Sequence, residues 1–411
     1  MTQPMLQFSA EADRRLVACE VTSQRMIEWA VVAPPAARTS SRAPLNLALV
    51  LDRSGSMHGD KLQYVQQAAC HVLDLLDERD RVAVVAYDDQ VTLLAPGAPM
   101  TAANRAAAQR AIQALRPGGW TDLSGGWLEG CRELAAHQAR SELSRALLLT
   151  DGLANRGITE IEALTEHARE LRRRGIATST FGVGLDFNEQ LLEVLAEQGG
   201  GHFYYIDRPG EIPGVFRREL GELLSVVARE AFLSIAVPAG VGLELLGELP
   251  HERQGQRLRV FLGDLCAGER RMIYTRALVP PDAPGTSVVL RAELGYADLS
   301  ARAIVEHAEL AFAYVREAEA QGVQVNTGVL ERASAVELAA TTAQALRLER
   351  AGQRDVAQAL VQQALAAAPH MPAPAAASYQ ALAEQLGGGL SEAERKQAHF
   401  ASYKARQSRD K

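Results

Sequence analysis

Between residues 45 and 208, short aliphatic runs alternate with longer stretches in which apolar side chains recur at helical spacing. The runs at 46–51, 82–87, 145–150, 176–183 and 202–206 predict strands. The first of them is nearly continuous aliphatic, as a parallel strand covered on both faces is. Between the runs lie amphipathic helices. Over 61–77, Leu62, Val65, Ala69, Val72, Leu73 and Leu76 share one face. Ser124 is placed to cap a helix carrying Leu128, Cys131 and Leu134. Thr159 opens a helix through Arg174, closed by Gly175. Asp186-Phe187-Asn188-Glu189 has the form of a capping box ahead of Leu191, Leu192 and Leu195, with Gly199 as the stop. This alternation predicts an α/β unit with a mainly parallel sheet and helices on both faces.

From about residue 226 the period changes to two. Leu258, Val260 and Leu262 alternate with Arg257, Arg259 and Phe261, and Val288, Leu290, Ala292, Leu294 and Tyr296 form a second alternating run. Turn residues stand at Pro238-Ala239-Gly240, Gly263-Asp264 and 280–285. Strands at this spacing predict an antiparallel β-sandwich. The first 40 residues carry two more strand-like segments, 14–22 and 25–33, too short to fold alone. They are expected to pair with the later strands, which makes the α/β unit an insertion in a discontinuous sandwich. The expected division is 1–44 for the N-terminal sandwich strands, 45–225 for the α/β unit, 226–318 for the rest of the sandwich and 319–411 for a helical region. Within the last, Leu346, Ala351-Gly352 and then Ala357, Leu360, Val361, Ala364 and Leu365 predict a helical hairpin packed on its own sandwich. The alanine-rich stretch 355–378 reads as a helix and a linker, and the polar tail from Ala398 as a frayed end.

Composition narrows the partners. Lys and Arg number 43 against 50 Asp and Glu, a formal charge of −7 that argues against general nucleic-acid binding. Arg172-Arg173-Arg174 ends a predicted helix, where the dipole favours cations, and needs no nucleic acid to explain it. Cys19, Cys70, Cys131 and Cys266 are far apart and form no Cys-x-x-Cys pair, so reduced thiols and a cytoplasmic location are expected. Met1-Thr2-Gln3-Pro4 lacks a basic region followed by an apolar core, so no signal peptide is expected. No apolar run approaches the ~18 residues of a membrane helix.

The chemistry lies at the strand ends. The first strand runs into Asp52-Arg53-Ser54-Gly55-Ser56. That places one carboxylate and two hydroxyls at alternate positions where an open α/β sheet binds its ligands. Gly55 is expected to let the loop curl so that all three face one point. Oxygen donors without Cys or His suit a hard divalent cation, Mg²⁺ first and Mn²⁺ or Ca²⁺ after it. Two further segments accompany this loop. Gly118-Gly119-Trp120-Thr121-Asp122-Leu123-Ser124 is a glycine-rich loop entering a helix. Leu147-Leu148-Leu149-Thr150-Asp151-Gly152 is a second buried strand ending in an acid and a glycine. Together the three segments resemble the von Willebrand factor A (VWA) domain and its metal-ion-dependent adhesion site. Asp52, Ser54, Ser56, Thr121 and Asp151 fill the five positions of that site in order.

The resemblance covers about residues 45–225 and implies a Rossmann-like fold. It also implies that the serines bind the ion directly while the aspartates act through water or hydrogen bonds. With mostly neutral ligands, the ion then seeks a carboxylate from outside, which implies a protein partner presenting Asp or Glu. Gly199-Gly200-Gly201-His202-Phe203-Tyr204-Tyr205-Ile206-Asp207 and the helix after it resemble bacterial intracellular VWA proteins, which implies an AAA+ ATPase as one partner class. Around the five residues several readings stay open. Asp122 is an outer carboxylate of the site or a helix cap. Trp120 is an exposed anchor or a core residue. Arg53 pairs with Asp122, meets an incoming carboxylate or lies solvated on the rim. His58, a nitrogen donor, suits Mg²⁺ poorly. Enzyme readings find less support, and a non-enzymatic role is expected. There is no Gly-Lys of a phosphate-binding loop, and Phe187 breaks the dinucleotide fingerprint after Gly182 and Gly184. There is also no Gly-x-Ser-x-Gly elbow and no His-Glu-x-x-His pair. The alternatives to a protein-binding module are a Mg²⁺-dependent hydrolase of a phosphorylated substrate and a scaffold whose metal only stabilises the fold.

Overall fold

The computed structural model describes residues 5–35, 42–139 and 142–410. Met1–Pro4, on which the expectation of no signal peptide rests, lie outside the described residues. In chain order the first elements are β1 (Gln7–Ala12), β2 (Leu16–Ala18), β3 (Ser23–Val32), β4 (Leu45–Asp52), α1 (Asp60–Asp74), β5 (Arg81–Tyr87), β6 (Val91–Pro99), α2 (Ala102–Gln113) and α3 (Leu123–Ala136). There follow β7 (Leu143–Thr150), α4 (Ile161–Arg173), β8 (Ile176–Val183), α5 (Glu189–Gln198), β9 (Gly200–Ile206), α6 (Ile212–Leu224) and β10 (Val226–Ala236). The remainder is β11 (Gly242–Leu245), β12 (His251–Gln254), β13 (Arg257–Cys266), β14 (Arg270–Val279), β15 (Ser287–Ala297), β16 (Ala303–Val315), α7 (Glu317–Gly322), α8 (Thr327–Arg350), α9 (Arg354–Ala366), α10 (Ala373–Gly388), α11 (Glu392–Gln407) and β17 (Arg409–Asp410). Two compact units result, one of residues 37–229 with 298–302, the other of 1–36, 230–297 and 303–411.

The first unit is a six-stranded sheet in the order β6-β5-β4-β7-β8-β9. β4 pairs in parallel with β5 on one side and β7 on the other, and β8 and β9 continue the parallel run. Every residue of β4 and of β7 is buried, which is why both read as mostly apolar runs, interrupted by Asn46 in β4 and by Ser144 and Arg145 in β7. The strand order reverses at β4, and that switch point opens a crevice at the carboxyl ends of β4 and β7. The edge strand β6 was not legible: it pairs antiparallel with β5, is half exposed, and contains Pro96 and Gly97. Proline is tolerated at an edge, where one face of the ladder carries no partner.

Three helix starts differ from expectation. Asp122, not Ser124, caps α3 and accepts the Gly125 N–H. α4 begins at Ile161 with Glu160 at its cap, so Thr159 lies outside it. α5 is capped by Asn188, whose side chain accepts the Leu191 N–H, in place of an Asp186–Glu189 box. At α3 and α5 a neighbouring residue with the same capping chemistry takes the position, whereas at α4 Glu160 makes no side-chain cap hydrogen bond.

The second unit holds two sheets, β1-β3-β14-β11 with β17 added on β14, and β12-β13-β10-β15-β16-β2. β3 pairs antiparallel with β14 from Ser23–Val279 to Val32–Arg270, and β2 lies parallel to β16. Trp29 on β3 is fully buried and donates its indole N–H to Thr275 Oγ1 at 3.0 Å. α8 packs on β3 and β14, and α9, α10 and α11 pack around α8 and one another. The expected linker after α9 is short, because α10 begins at Ala373. The expected fraying of the tail does not occur within the described residues. α11 runs to Gln407, and Arg409–Asp410 pairs with Arg270–Arg271. Charge holds this polar tail: Arg406 pairs with Glu248, and Arg409 with buried Glu269.

Candidate metal centre

Asp52 ends β4 and is fully buried. Its Oδ1 accepts the Ser54 N–H at 2.8 Å, and its Oδ2 accepts the Thr150 hydroxyl, from the end of β7, at 2.6 Å. Burial, the dominant cause, pushes its carboxyl up to about 6, against those hydrogen bonds and with a further push from Asp151. Ser54 Oγ lies 3.0 Å from Ser56 Oγ, and Ser56 donates its hydroxyl to Asp151 Oδ1 at 2.6 Å. Thr121 enters from the loop before α3. A β-carbon added to Gly152 would stand 3.4 Å from Ser56 Oγ and 3.9 Å from Thr121 Oγ1, so both hydroxyls face the space in front of Gly152. All five sequence-predicted residues therefore gather at the carboxyl ends of β4 and β7.

The loops are stitched together by backbone. Gly55 N donates to Gly119 O at 2.9 Å, and Gly118 N to Arg53 O at 2.6 Å. Gly118 is required by close approach, since a β-carbon there would sit 1.7 Å from Asp88 Oδ2. Gly55, expected to let the loop curl, does so without positive φ. It opens a short 3₁₀ turn over Gly55–Met57, and a β-carbon added to it would stand 3.4 Å from the Gly118 carbonyl oxygen.

The readings left open around the site resolve. Asp122 is spent on the α3 cap, accepting from Gly125 N at 2.8 Å and Ser124 Oγ at 3.0 Å. Arg53 pairs with neither Asp122 nor solvent alone, but with Asp88 at 3.2 Å. Trp120 is 66% exposed. Three contributors were missed. Asn155 accepts the Thr121 N–H at 2.9 Å and donates its own N–H to Thr121 O at 3.2 Å, pinning that residue. Thr150 holds Asp52. Lys61, in the first turn of α1, places its ammonium 2.5 Å from Asp151 Oδ2. No local pattern marks Lys61, because its partner lies 90 residues away.

The arrangement suits a hard cation. Ser56 donates its one proton to Asp151 and so accepts from Ser54, which leaves its oxygen one lone pair for another positive centre. The buried carboxylates of Asp52 and Asp151 call for nearby positive charge, and Lys61 already shows a cation seated against one of them. A set of oxygen donors is one that a divalent cation can accept.

The family model for the von Willebrand factor type A domain matches residues 46–218. Over 304 residues the chain is 32% identical to the uncharacterized protein sll0103 of Synechocystis sp., covering 70% of this chain and 69% of that one. This chain is a VWA domain protein. A second relative, the uncharacterized protein YfbK of Escherichia coli, is 31% identical over 56% of this chain. The match spans only 41% of YfbK, less than half of that protein's length. A von Willebrand factor type A structure from Catenulispora acidiphila superposes with a TM-score of 0.75 over 96% of each chain, at 18% identity, and so shares the fold across both units. Among the described residues of the VWA protein no helix is long and apolar enough to cross a membrane.

Proposed function

We propose that the VWA domain is a metal-ion-dependent protein-binding module whose bound ion takes an Asp or Glu side chain from a partner. The observation that carries this reading is the run of hydroxyls from Ser54 through Ser56 to Asp151, joined by Thr121 across the crevice. Ser54, Ser56 and Thr121 would hold the ion, and Asp52 and Asp151 would orient the hydroxyls and supply charge. Mg²⁺ is the ion we propose, with Mn²⁺ as a spectroscopic substitute. Bound there, it supplies a positive charge that neutral hydroxyls leave undercompensated, which favours an anionic oxygen from outside. Ser56 is exposed, while Ser54 and Thr121 are buried. Trp120 and Leu153, 66% and 57% exposed, adjoin the ligands in sequence and offer apolar anchors beside the acidic contact. Arg53 is tied to Asp88 and contributes less to the partner.

An AAA+ ATPase is one partner class that the resemblance suggests. The four cysteines are free thiols, which fits a reducing compartment, and we place the protein in the cytoplasm on that ground. The test is affinity capture with the whole chain in Mg²⁺ and in EDTA, repeated with Asp151→Ala and Thr121→Ala. Binding should vanish in EDTA and in Asp151→Ala. Thr121→Ala should weaken it at least tenfold, or about 1.4 kcal/mol. A partner indifferent to EDTA and to Thr121→Ala would move the binding surface elsewhere.

A further inference from the structure

Lys61 is a charged feature of the crevice that a simple metal-ligand set does not require. It leaves the first turn of α1, directly after exposed Asp60, and its ammonium reaches Asp151 Oδ2 at 2.5 Å while the other carboxylate oxygen accepts from Ser56 at 2.6 Å. Asp151 is fully buried and the lysine side chain is 25% exposed. Other charges at the crevice have partners of their own, among them Asp89 with Arg156. Arg53 pairs with Asp88, and Asp122 faces the N-terminus of its own helix, whose positive end offsets it. Asp52, Asp151 and Lys61 then set the charge of the cluster at one net negative.

We propose that Lys61 is a built-in counter-cation that lowers the affinity of this site for divalent ions and raises the affinity of the loaded site for an external carboxylate. The inference rests on the metal-binding reading above and deepens it. A divalent ion entering a cluster of one net negative charge leaves one net positive, and a single carboxylate neutralises it. Without the lysine the same ion meets two negative charges, binds more tightly, and leaves a neutral site with no electrostatic demand for a further anion. Like charges a few ångströms apart in a partly buried crevice are screened far less than in water, so the lysine's repulsion of the ion is substantial. The lysine thus shifts binding free energy from the ion to the partner's acid, and it makes occupancy respond to the two together.

The experiment uses the full chain with Mn²⁺ and acetate as probes. Mn²⁺ affinity is measured by titration of the free-ion paramagnetic resonance signal, at constant ionic strength, with and without acetate. Lys61→Met keeps the aliphatic stem and removes the charge, Lys61→Arg keeps the charge, and Ser54→Ala with Ser56→Ala is the reference without hydroxyl ligands. Lys61→Met should bind Mn²⁺ at least tenfold more tightly than wild type, and acetate should improve wild-type Mn²⁺ affinity more than that of Lys61→Met. Lys61→Arg should stay close to wild type in both. Should Lys61→Met unfold without metal, Mn²⁺ should restore it and raise its melting temperature by more than it raises that of wild type. Wild-type protein that binds no Mn²⁺ would sink the metal-site reading itself. Wild-type binding with equal or weaker binding by Lys61→Met would overturn the Lys61 inference alone, leaving the lysine a plain structural contact.

Discussion

Two groups of acidic side chains in the VWA unit have the look of ion sites, and they differ in whether their oxygens are spent. At one, His202 Nδ1 and carboxylate oxygens of Glu219 and Glu222 lie within 4.8 Å of one another. Glu219 there is fully buried and accepts from Arg145 Nη1 at 3.2 Å, Ser179 Oγ at 2.5 Å, His202 at 3.0 Å and Tyr204 OH at 2.7 Å. Four donors on two oxygens leave it little lone-pair capacity, and an arginine already sits where a cation would go. At the other, Asp52 and Asp151 orient hydroxyls whose oxygens remain able to bind, and the cation present is the one-quarter-exposed Lys61. A ring of acids becomes a metal site when the surrounding donors leave acceptors over. Glu219 is instead the centre of a closed network that joins β7, β8, β9 and α6.

The largest effect expected from this contrast is on stability. Arg145→Met leaves Glu219 buried without its guanidinium, and breaking such a pair costs about 3–5 kcal/mol. Urea denaturation of the variant should show it, with no dependence on Mg²⁺. Acid should narrow the gap. Burial would raise the Glu219 carboxyl, but His202, Arg145 and Ser179 outweigh it and hold the group well below the ordinary glutamate value of 4.5. A carboxyl depressed in the folded state contributes fully above the unfolded value and loses that contribution as pH falls below it. The difference between wild type and Arg145→Met should therefore be constant near neutrality and shrink below about pH 4.5. A difference that does not change with acid would mean that the loss is packing and not charge.

The next effect separates the two groups by metal. Mg²⁺ at a hundred times its dissociation constant should stabilise the wild-type unit by about 2.7 kcal/mol, read as a rise in melting temperature. Asp52→Ala and Asp151→Ala should abolish that increment and stay folded, whereas His202→Ala should keep it. If His202→Ala loses the increment and Asp151→Ala keeps it, the assignment of the two groups is reversed.

What the sequence disclosed follows the same division between local and distant causes. Asp52, Ser54 and Ser56 are neighbours at the end of an apolar strand, and the strands before Asp52 and Asp151 are buried on both faces, so their positions could be read directly. The mainly parallel character of the sheet followed from alternation. Lys61 reads as any first-turn lysine on a solvated helix, and Arg145 as an oddity among leucines. Each takes its meaning from a residue more than 70 positions away. The polar tail was misread for a related reason. Arg406 and Arg409 look solvated in sequence, but their partners Glu248 and Glu269 come from turns between strands of the sandwich. Edge strand β6 was missed because half exposure removes the apolar signal.

The smallest effect concerns Asn155, which neither chemistry nor pattern marked. Its carboxamide accepts the Thr121 N–H, and its own N–H holds the Thr121 carbonyl, so the side chain fixes one end of a loop whose hydroxyl faces the crevice. Asn155→Ala deletes the side-chain bond and leaves the backbone one. The loss of one such bond at a partly buried site is about 1 kcal/mol. If Asn155 positions Thr121 for the ion, the loss should appear mainly in the Mg²⁺ increment, with little change in the melting temperature in EDTA. If it serves only the loop, the melting temperature in EDTA should fall and the increment stay whole. A double variant with Thr121→Ala distinguishes the two. A positioning role predicts that Asn155→Ala adds almost nothing once the threonine hydroxyl is gone, because neighbours acting through one contact are not additive. Additive losses would place Asn155 outside the site.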